Sequence, residues 1–312
     1  MALNRVAVIG ECMVELQRKG ELIKQSFGGD TLNTALYLSR LTHQHGVETS
    51  YITGLGTDSF SRDMLAQWQQ EQINTELVFQ SEEKNPGLYL IETDDTGERT
   101  FHYWRNDAAA RYWLDNIDSQ TLVEKLSGFE MIYLSGISLA ILPTAALDKL
   151  FQVLQACKAQ GSKIVFDNNY RPRLWQSADI AAKRYQTMLS LTDIALLTFD
   201  DEVMLYGEHT VEDCIARTQQ CGVSEIVIKR GAEDCLVITS EGCISVAATK
   251  VDNVIDTTAA GDSFSAGYLA TRLTGGNTEQ AANNAHLLAG TVIQHQGAII
   301  PATAMPVLFN SN

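Results

Sequence analysis

Seven residues in the last fifth of the chain, Asp256-Thr257-Thr258-Ala259-Ala260-Gly261-Asp262, join a loop of small side chains to an acidic residue. A helical pattern, Ser263 to Ala270, follows at once. A helix that starts there aims its unpaired N–H groups back at the loop, which makes the loop a natural anion pocket. Alanine and glycine leave room for a phosphate to reach the backbone. Asp262 would then be a carboxylate beside an anion, an awkward position for a residue with no chemical task. A base beside a phosphate pocket is what phosphoryl transfer to a hydroxyl requires. The same residues also allow an ordinary helix start with Asp262 in a capping role.

Three further runs carry polar chemistry. Phe27-Gly28-Gly29-Asp30-Thr31-Leu32-Asn33 is a Gly-Gly turn that feeds a helix. It would bring backbone close to a ligand, with the Asn33 amide in the first turn facing ligand hydroxyls. Asp167-Asn168-Asn169-Tyr170-Arg171-Pro172-Arg173 follows a strand and sets amides and two guanidinium groups at its carboxyl end. The fork of Arg171 suits a carboxylate or phosphate, while Arg173 reads as a solvated surface residue. Lys229-Arg230-Gly231-Ala232 ends another strand, and its turn either holds a nucleotide or simply joins two strands.

The elements that must position these runs alternate. Val6–Ile9 leads to a predicted helix near Thr31–Leu41, and Val47–Thr53 to one near Ser59–Glu71. Met131–Ser135 leads to Thr144–Gln160, and Lys163–Asp167 to Ala178–Leu191. Ile194–Thr198 leads to short helices near Asp200–Leu205 and Val211–Gln220, and then comes Ile226–Lys229. The alternation predicts an α/β fold: a doubly wound, mostly parallel sheet with helices on both faces. Ligands in such sheets bind beyond the carboxyl ends of strands, where the motifs fall. Two stretches, 11–27 and 87–105, read as strands and turns without a helix. Within the second, Leu88–Thr93 and Arg99–Arg105 flank Asp94-Asp95-Thr96-Gly97 as a hairpin. Inserted in an α/β domain, such a hairpin is either a lid over the site or an extra edge.

The chain has 312 residues, 45% of them hydrophobic and 20% charged, with a net charge of −15. One large α/β domain spanning 1–312 is expected, with small β segments near 11–27 and 87–105. The acidic balance argues against a general nucleic-acid or anionic-membrane surface. The six cysteines form no C-x-x-C pair, so free thiols without zinc are expected. No signal peptide is read ahead of Val6, and the apolar run Met131–Leu142 is too short to span a bilayer, so a cytoplasmic location is expected.

Gly28-Gly29 with Asn33, followed far downstream by Asp256-Thr257-x-x-Ala260-Gly261-Asp262, resembles the paired motifs of the ribokinase-like (PfkB) carbohydrate kinases. The likeness extends through Gly10–Glu15, Tyr103-Trp104-Arg105 and Asn168–Trp175, over essentially the whole chain, and points to members acting on a keto sugar acid. The resemblance implies ATP- and Mg²⁺-dependent phosphorylation of the 6-hydroxyl of 2-dehydro-3-deoxy-D-gluconate. It implies Asp262 as catalytic base and the backbone of Ala259, Ala260 and Gly261 as the anion hole. It implies that Gly29 and Asn33 hold sugar hydroxyls. Tyr89, Tyr103 and Arg105 from the lid, with Arg171 from the core, would grip the acid. Asn169 and the Lys229-Arg230-Gly231 turn would touch ATP. In many relatives the lid sheet also pairs subunits, so a homo-oligomer through that sheet is expected. The family often carries Asn-x-x-Glu to organise Mg²⁺ through waters; here Phe199 stands at the Asn place and Glu202 keeps the acid. A neutral-sugar kinase of fructose or ribose type, and a non-catalytic sugar-sensing protein on the same fold, are the alternatives.

Overall fold

The computed structural model describes residues 4–93 and 99–309. The chain opens with β1 (Asn4–Ile9), β2 (Met13–Lys19), β3 (Leu22–Gly28), α1 (Asp30–Thr42) and β4 (Val47–Leu55). Then come α2 (Ser59–Gln70), β5 (Ile73–Asn74), β6 (Val78–Gln80), β7 (Leu88–Thr93) and β8 (Arg99–Trp104). The middle holds α3 (Ser119–Leu126), β9 (Met131–Ser135), α4 (Gly136–Ala140), α5 (Thr144–Ala159) and β10 (Lys163–Asp167). It continues through α6 (Ala178–Leu191), β11 (Ile194–Thr198), α7 (Phe199–Tyr206) and α8 (Val211–Gln220). The last elements are β12 (Glu225–Lys229), β13 (Cys235–Thr239), β14 (Gly242–Val246), α9 (Ala260–Leu273) and α10 (Thr278–Val292).

The large sheet has the order β14-β13-β12-β11-β10-β9-β1-β4-β5, with β6 also on β4. From β12 to β5 every pairing is parallel; β13 and β14 add an antiparallel edge. The central strands are apolar on both faces, as a sheet covered twice must be. Along β1, Val6 and Val8 join one core with α1, α2, α9 and α10, while Ala7 and Ile9 join a second with α3, α5 and α6. Strand periodicity of two produces this division. The chain leaves β1 toward β4 on one side and returns at β9 on the other. The crevice beyond Ile9 and Ser135 is therefore a topological switch point, where open α/β sheets take their ligands. Among the described residues, no helix is long and apolar enough to cross a membrane.

The two segments expected to lack helices form a separate sheet in the order β3-β2-β7-β8. Tyr89 lies opposite both Glu15 and Tyr103, and Ile91 opposite Phe101. Met13, Tyr89 and Ile91 bury one another in a small apolar cluster against Phe101. The predicted turn Asp94–Gly97 lies outside the described residues. Leu22, Ile23 and Trp104 of this sheet are exposed.

Candidate active site

α1 and α9 lie side by side, and their first turns meet above the sheet. Asn33 of α1 donates its amide to the Asp262 carboxylate of α9 at 2.8 Å. Thr34 hydroxyl reaches the Asp262 carbonyl at 3.3 Å. Gly29 precedes α1 with no room for a side chain: a Cβ there would collide with the Glu11 carbonyl oxygen. That contact sets the entry of α1 against the end of β1. Asn33 Oδ1 is buried and has no partner among the described residues, so one acceptor remains beside Asp262.

Asp262 is half-buried at the floor of this crevice. Burial is the largest cause that raises its carboxyl well above the usual range, and the charges of Asp30 and Asp167 raise it further. The Asn33 amide and Lys229 pull the other way. Asp30 is raised too, by burial and by Asp167, against hydrogen bonds from Ser135, Thr31 and Asn169. Three carboxylates thus converge, and Lys229 bonds one of them, Asp167, and eases the charge of a second, Asp262. Lys229 donates to Asp167 at 2.7 Å, and Ser265 donates to the same oxygen at 2.8 Å. A carboxylate whose proton affinity is raised in this way takes up a proton more readily than an ordinary aspartate, as a general base must. Asp30 and Asp167 stand inside sequence motifs that assign them no role, and Ser265 lies in a helical run with no local signal that marks it.

The helix start is shaped for an anion. Asp262 lies inside α9 and makes no capping bond, and Ala259 precedes the helix with no side-chain cap. Of the three backbone groups expected to form the anion hole, Ala260 is otherwise engaged: its N–H donates to the Thr257 carbonyl at 3.1 Å. The amides of Ala259, Gly261 and Asp262 have no acceptor among the described residues. Among the described residues outside its own helix turn, a Cβ at Gly261 would find only Lys229 Nζ, at 3.7 Å.

The other expected residues divide. Tyr89 and Tyr103 sit together on one face of the small sheet, ring centres 5.7 Å apart, and Tyr89 hydroxyl donates to Glu15. Arg105 is buried at the base of that sheet and is already paired with Glu11. Its charge therefore already has a carboxylate within the chain, beside any that a sugar acid would bring. Arg171 is half-exposed at the rim, donating to the Tyr170 carbonyl at 2.8 Å with Asp201 at 3.4 Å. Asn169 adopts a left-handed backbone (φ 24°), which asparagine tolerates, and donates to Asp30 at 2.6 Å. Asn168 is fully buried and holds Thr198 and Glu202, so Asn169 is the amide that reaches the crevice. Arg230 is tied into its own turn by Asp234 and Glu233, and Gly231 (φ 62°) makes that turn.

Glu202 does not fit a metal-organising role. Its carboxylate is buried and taken by Asn168 on one oxygen and by Arg217 on the other. Its oxygens, His209 and Cys214 lie within 4.8 Å of one another, but the Arg217 guanidinium already stands among them, 3.5 Å from His209. Phe199 packs edge-on against His209, 5.4 Å between centres.

A doubly wound sheet, a four-stranded accessory sheet and a carboxylate at the open start of α9 define a class of sugar-phosphorylating proteins. The chain belongs to it: the model for the pfkB family carbohydrate kinases matches residues 3–305. Within that family it is 56% identical over 309 residues to a 2-dehydro-3-deoxygluconokinase of Dickeya dadantii, covering 98% of this chain and all of that one. A protein of the same name from Haemophilus influenzae is 43% identical over 308 residues, 97% and 98% of the two chains. Among solved structures, an aminoimidazole riboside kinase of Salmonella enterica, complexed with aminoimidazole riboside and an ATP analogue, superposes with a TM-score of 0.80. That kinase is 25% identical, and the match covers 97% of this chain and 96% of its own.

Proposed function

We propose that this protein transfers the γ-phosphoryl group of ATP to the 6-hydroxyl of 2-dehydro-3-deoxy-D-gluconate, giving the 6-phosphate and ADP. The observation that carries the reaction type is the Asp262 carboxylate, raised in proton affinity, beside the unpaired amides of Gly261 and Asp262. The relatives at 56% and 43% identity carry the substrate. The 6-hydroxyl oxygen attacks the γ-phosphorus in line while its proton passes to Asp262, and the bond to the β-phosphate oxygen breaks. Charge that builds on the transferring group meets the amides at the start of α9, with Lys229 behind them. A Mg²⁺ ion, when bound with the nucleotide, would supply charge neutralisation to the phosphate oxygens; Glu202, held by Asn168 and Arg217, is not free to ligate it. Gly29, Asn33 and its free Oδ1 take sugar hydroxyls. Tyr89, Tyr103 and Arg105 cover the sugar acid from the small sheet, and Arg171 waits at the rim. Asn169 and the turn after Lys229 line the nucleotide side. The whole chain acts as one kinase domain with that sheet as its lid, in the cytoplasm. The exposed Leu22, Ile23 and Trp104 offer the lid a face for a second subunit.

One observation favours a neutral-sugar kinase instead: Arg105 already has its counter-charge in Glu11. A steady-state comparison of 2-dehydro-3-deoxy-D-gluconate, fructose and ribose with ATP separates the readings. The sugar acid should have the highest kcat/KM, by at least about tenfold, the range of one charge-assisted contact. Preference for fructose or ribose would overturn the substrate, and no turnover of any sugar would leave a sensing protein.

A further inference from the structure

Arg99 begins β8 on the small sheet and reaches across to the loop that precedes α9. Its Nη2 lies 3.2 Å from Asp256 Oδ1 and its Nη1 3.2 Å from Asp256 Oδ2. Nη1 also reaches the Thr258 hydroxyl at 3.2 Å. The pair joins residues 157 apart, in two different sheets' territory. An exposed ion pair usually contributes little. This one differs, because Asp256 is buried and fixed independently. It accepts the N–H groups of Thr258 and Gly297, each at 3.1 Å, and its own N–H is bonded to the Ile293 carbonyl. Arg99 therefore grips an anchored carboxylate through a two-pronged contact, the geometry in which guanidinium is strongest.

Two features give the contact a consequence. Along β8, residues 99, 101 and 103 share one face, so Arg99 stands on the face that carries Tyr103. Thr258 lies three residues before Gly261, whose amide is open. One strand thus connects the group that would cover the sugar acid to the loop that sets the anion pocket.

We propose that Arg99 is a positioning residue that couples the two substrates. Sugar acid held under the small sheet orders β8, β8 seats Arg99 on the anchored Asp256 carboxylate and the Thr258 hydroxyl, and the loop so clamped presents the Gly261 and Asp262 amides to the nucleotide. This rests on the reaction assigned above. By linkage, each substrate then tightens the other by the same factor.

The test is calorimetric titration of the full chain with a non-hydrolysable ATP analogue and Mg²⁺, with and without saturating 2-dehydro-3-deoxy-D-gluconate. In the wild type the sugar acid should tighten the analogue by about fivefold or more, the lower range of such couplings. In Arg99→Gln the factor should fall below about twofold while the analogue still binds; Arg99→Lys, which keeps the charge, should recover part of it. Because Arg99 is about one-third exposed, at 36%, these variants should fold, and their thermal unfolding is recorded alongside. Full coupling in Arg99→Gln, or none in the wild type, overturns the proposal. Turnover of the sugar acid is measured on the same preparations. A wild type that turns it over, with coupling unchanged in Arg99→Gln, sinks the role of Arg99 alone; a wild type without turnover sinks the substrate assignment.

Discussion

Asp262 is held where a carboxylate is costly, and the cost has a measurable sign. Burial and the nearby Asp30 and Asp167 make the folded protein bind the Asp262 proton more tightly than the unfolded chain does. Stability from this group is therefore full below the ordinary aspartate range, about pH 4, and is lost as pH rises through the raised folded value. Asp262→Asn keeps the acceptor for Asn33 and removes the repulsion. It should raise the melting temperature at pH 8 and do so much less at pH 4, while kcat falls by roughly 10²–10⁴-fold, the range for a positioned base. An equal thermal gain at both pH values would show that titration is not the cause. Near-normal turnover would rule out Asp262 as the base. Gly261 tests the anion pocket in the opposite way. Gly261→Ala meets no protein atom closer than 3.7 Å, and alanine favours helix by about 0.5–1 kcal/mol over glycine. The variant should be at least as stable as the wild type, yet lose kcat/KM for ATP by about tenfold or more as the methyl group blocks a γ-phosphate oxygen, the loss typical of one removed oxyanion contact or more. Full activity would place the anion elsewhere.

At the scale of elements, the small sheet joins the core through a buried ion pair. Arg105 and Glu11 are both nearly inaccessible, with side chains 9% and 1% exposed. Removing one partner of such a pair costs about 3–5 kcal/mol, because the other charge is left without compensation. Arg105→Ala should therefore be destabilised by about that much in urea unfolding, and adding Glu11→Gln should recover a large part of it. No recovery would mean that packing, not charge, sets the cost. The single variant alone cannot measure a grip on substrate. The sheet as a whole is expected to gain hydrogen-exchange protection over 87–93 and 99–105 when the sugar acid binds; unchanged protection would remove its role as a lid. Most of these elements were legible. The strands β1, β4 and β9 to β12, and the long helices between them, follow from apolar runs and periodicity. The two-residue β5 and three-residue β6 are too short to carry a pattern. α4 hides inside the apolar run Met131–Leu142, where a buried strand passes directly into a short buried helix at Ser135-Gly136 and the apolar run continues across the junction. α10 was missed although Asn277 and Gln280 form a capping box that announces it.

The whole molecule keeps its thiols apart. Cys12, Cys157, Cys214, Cys221, Cys235 and Cys243 are all free, and only Cys243 is exposed. A thiol titration of unfolded protein without reductant should find six, and metal analysis should find no stoichiometric zinc; fewer thiols or a bound zinc would contradict the fold as described. The chain's own order of residues determined the α/β alternation, the helix start just before Asp262, the Gly-Gly turn before α1 and the hairpin of the small sheet. Each of these is local, set by spacing, propensity and backbone freedom within a few residues. Charge environment is not local. The gathering of Asp30, Asp167 and Asp262 near Lys229, from four parts of the chain, was decided by where the ends of β10 and β12 meet the first turns of α1 and α9. So was the neutralisation of Arg105 by Glu11, 94 residues away, and of Glu202 by Arg217. An electrostatic partner is chosen by distance through space and by what burial removes from water, so only the tertiary structure could say which charges this protein balances internally and which it leaves for a substrate.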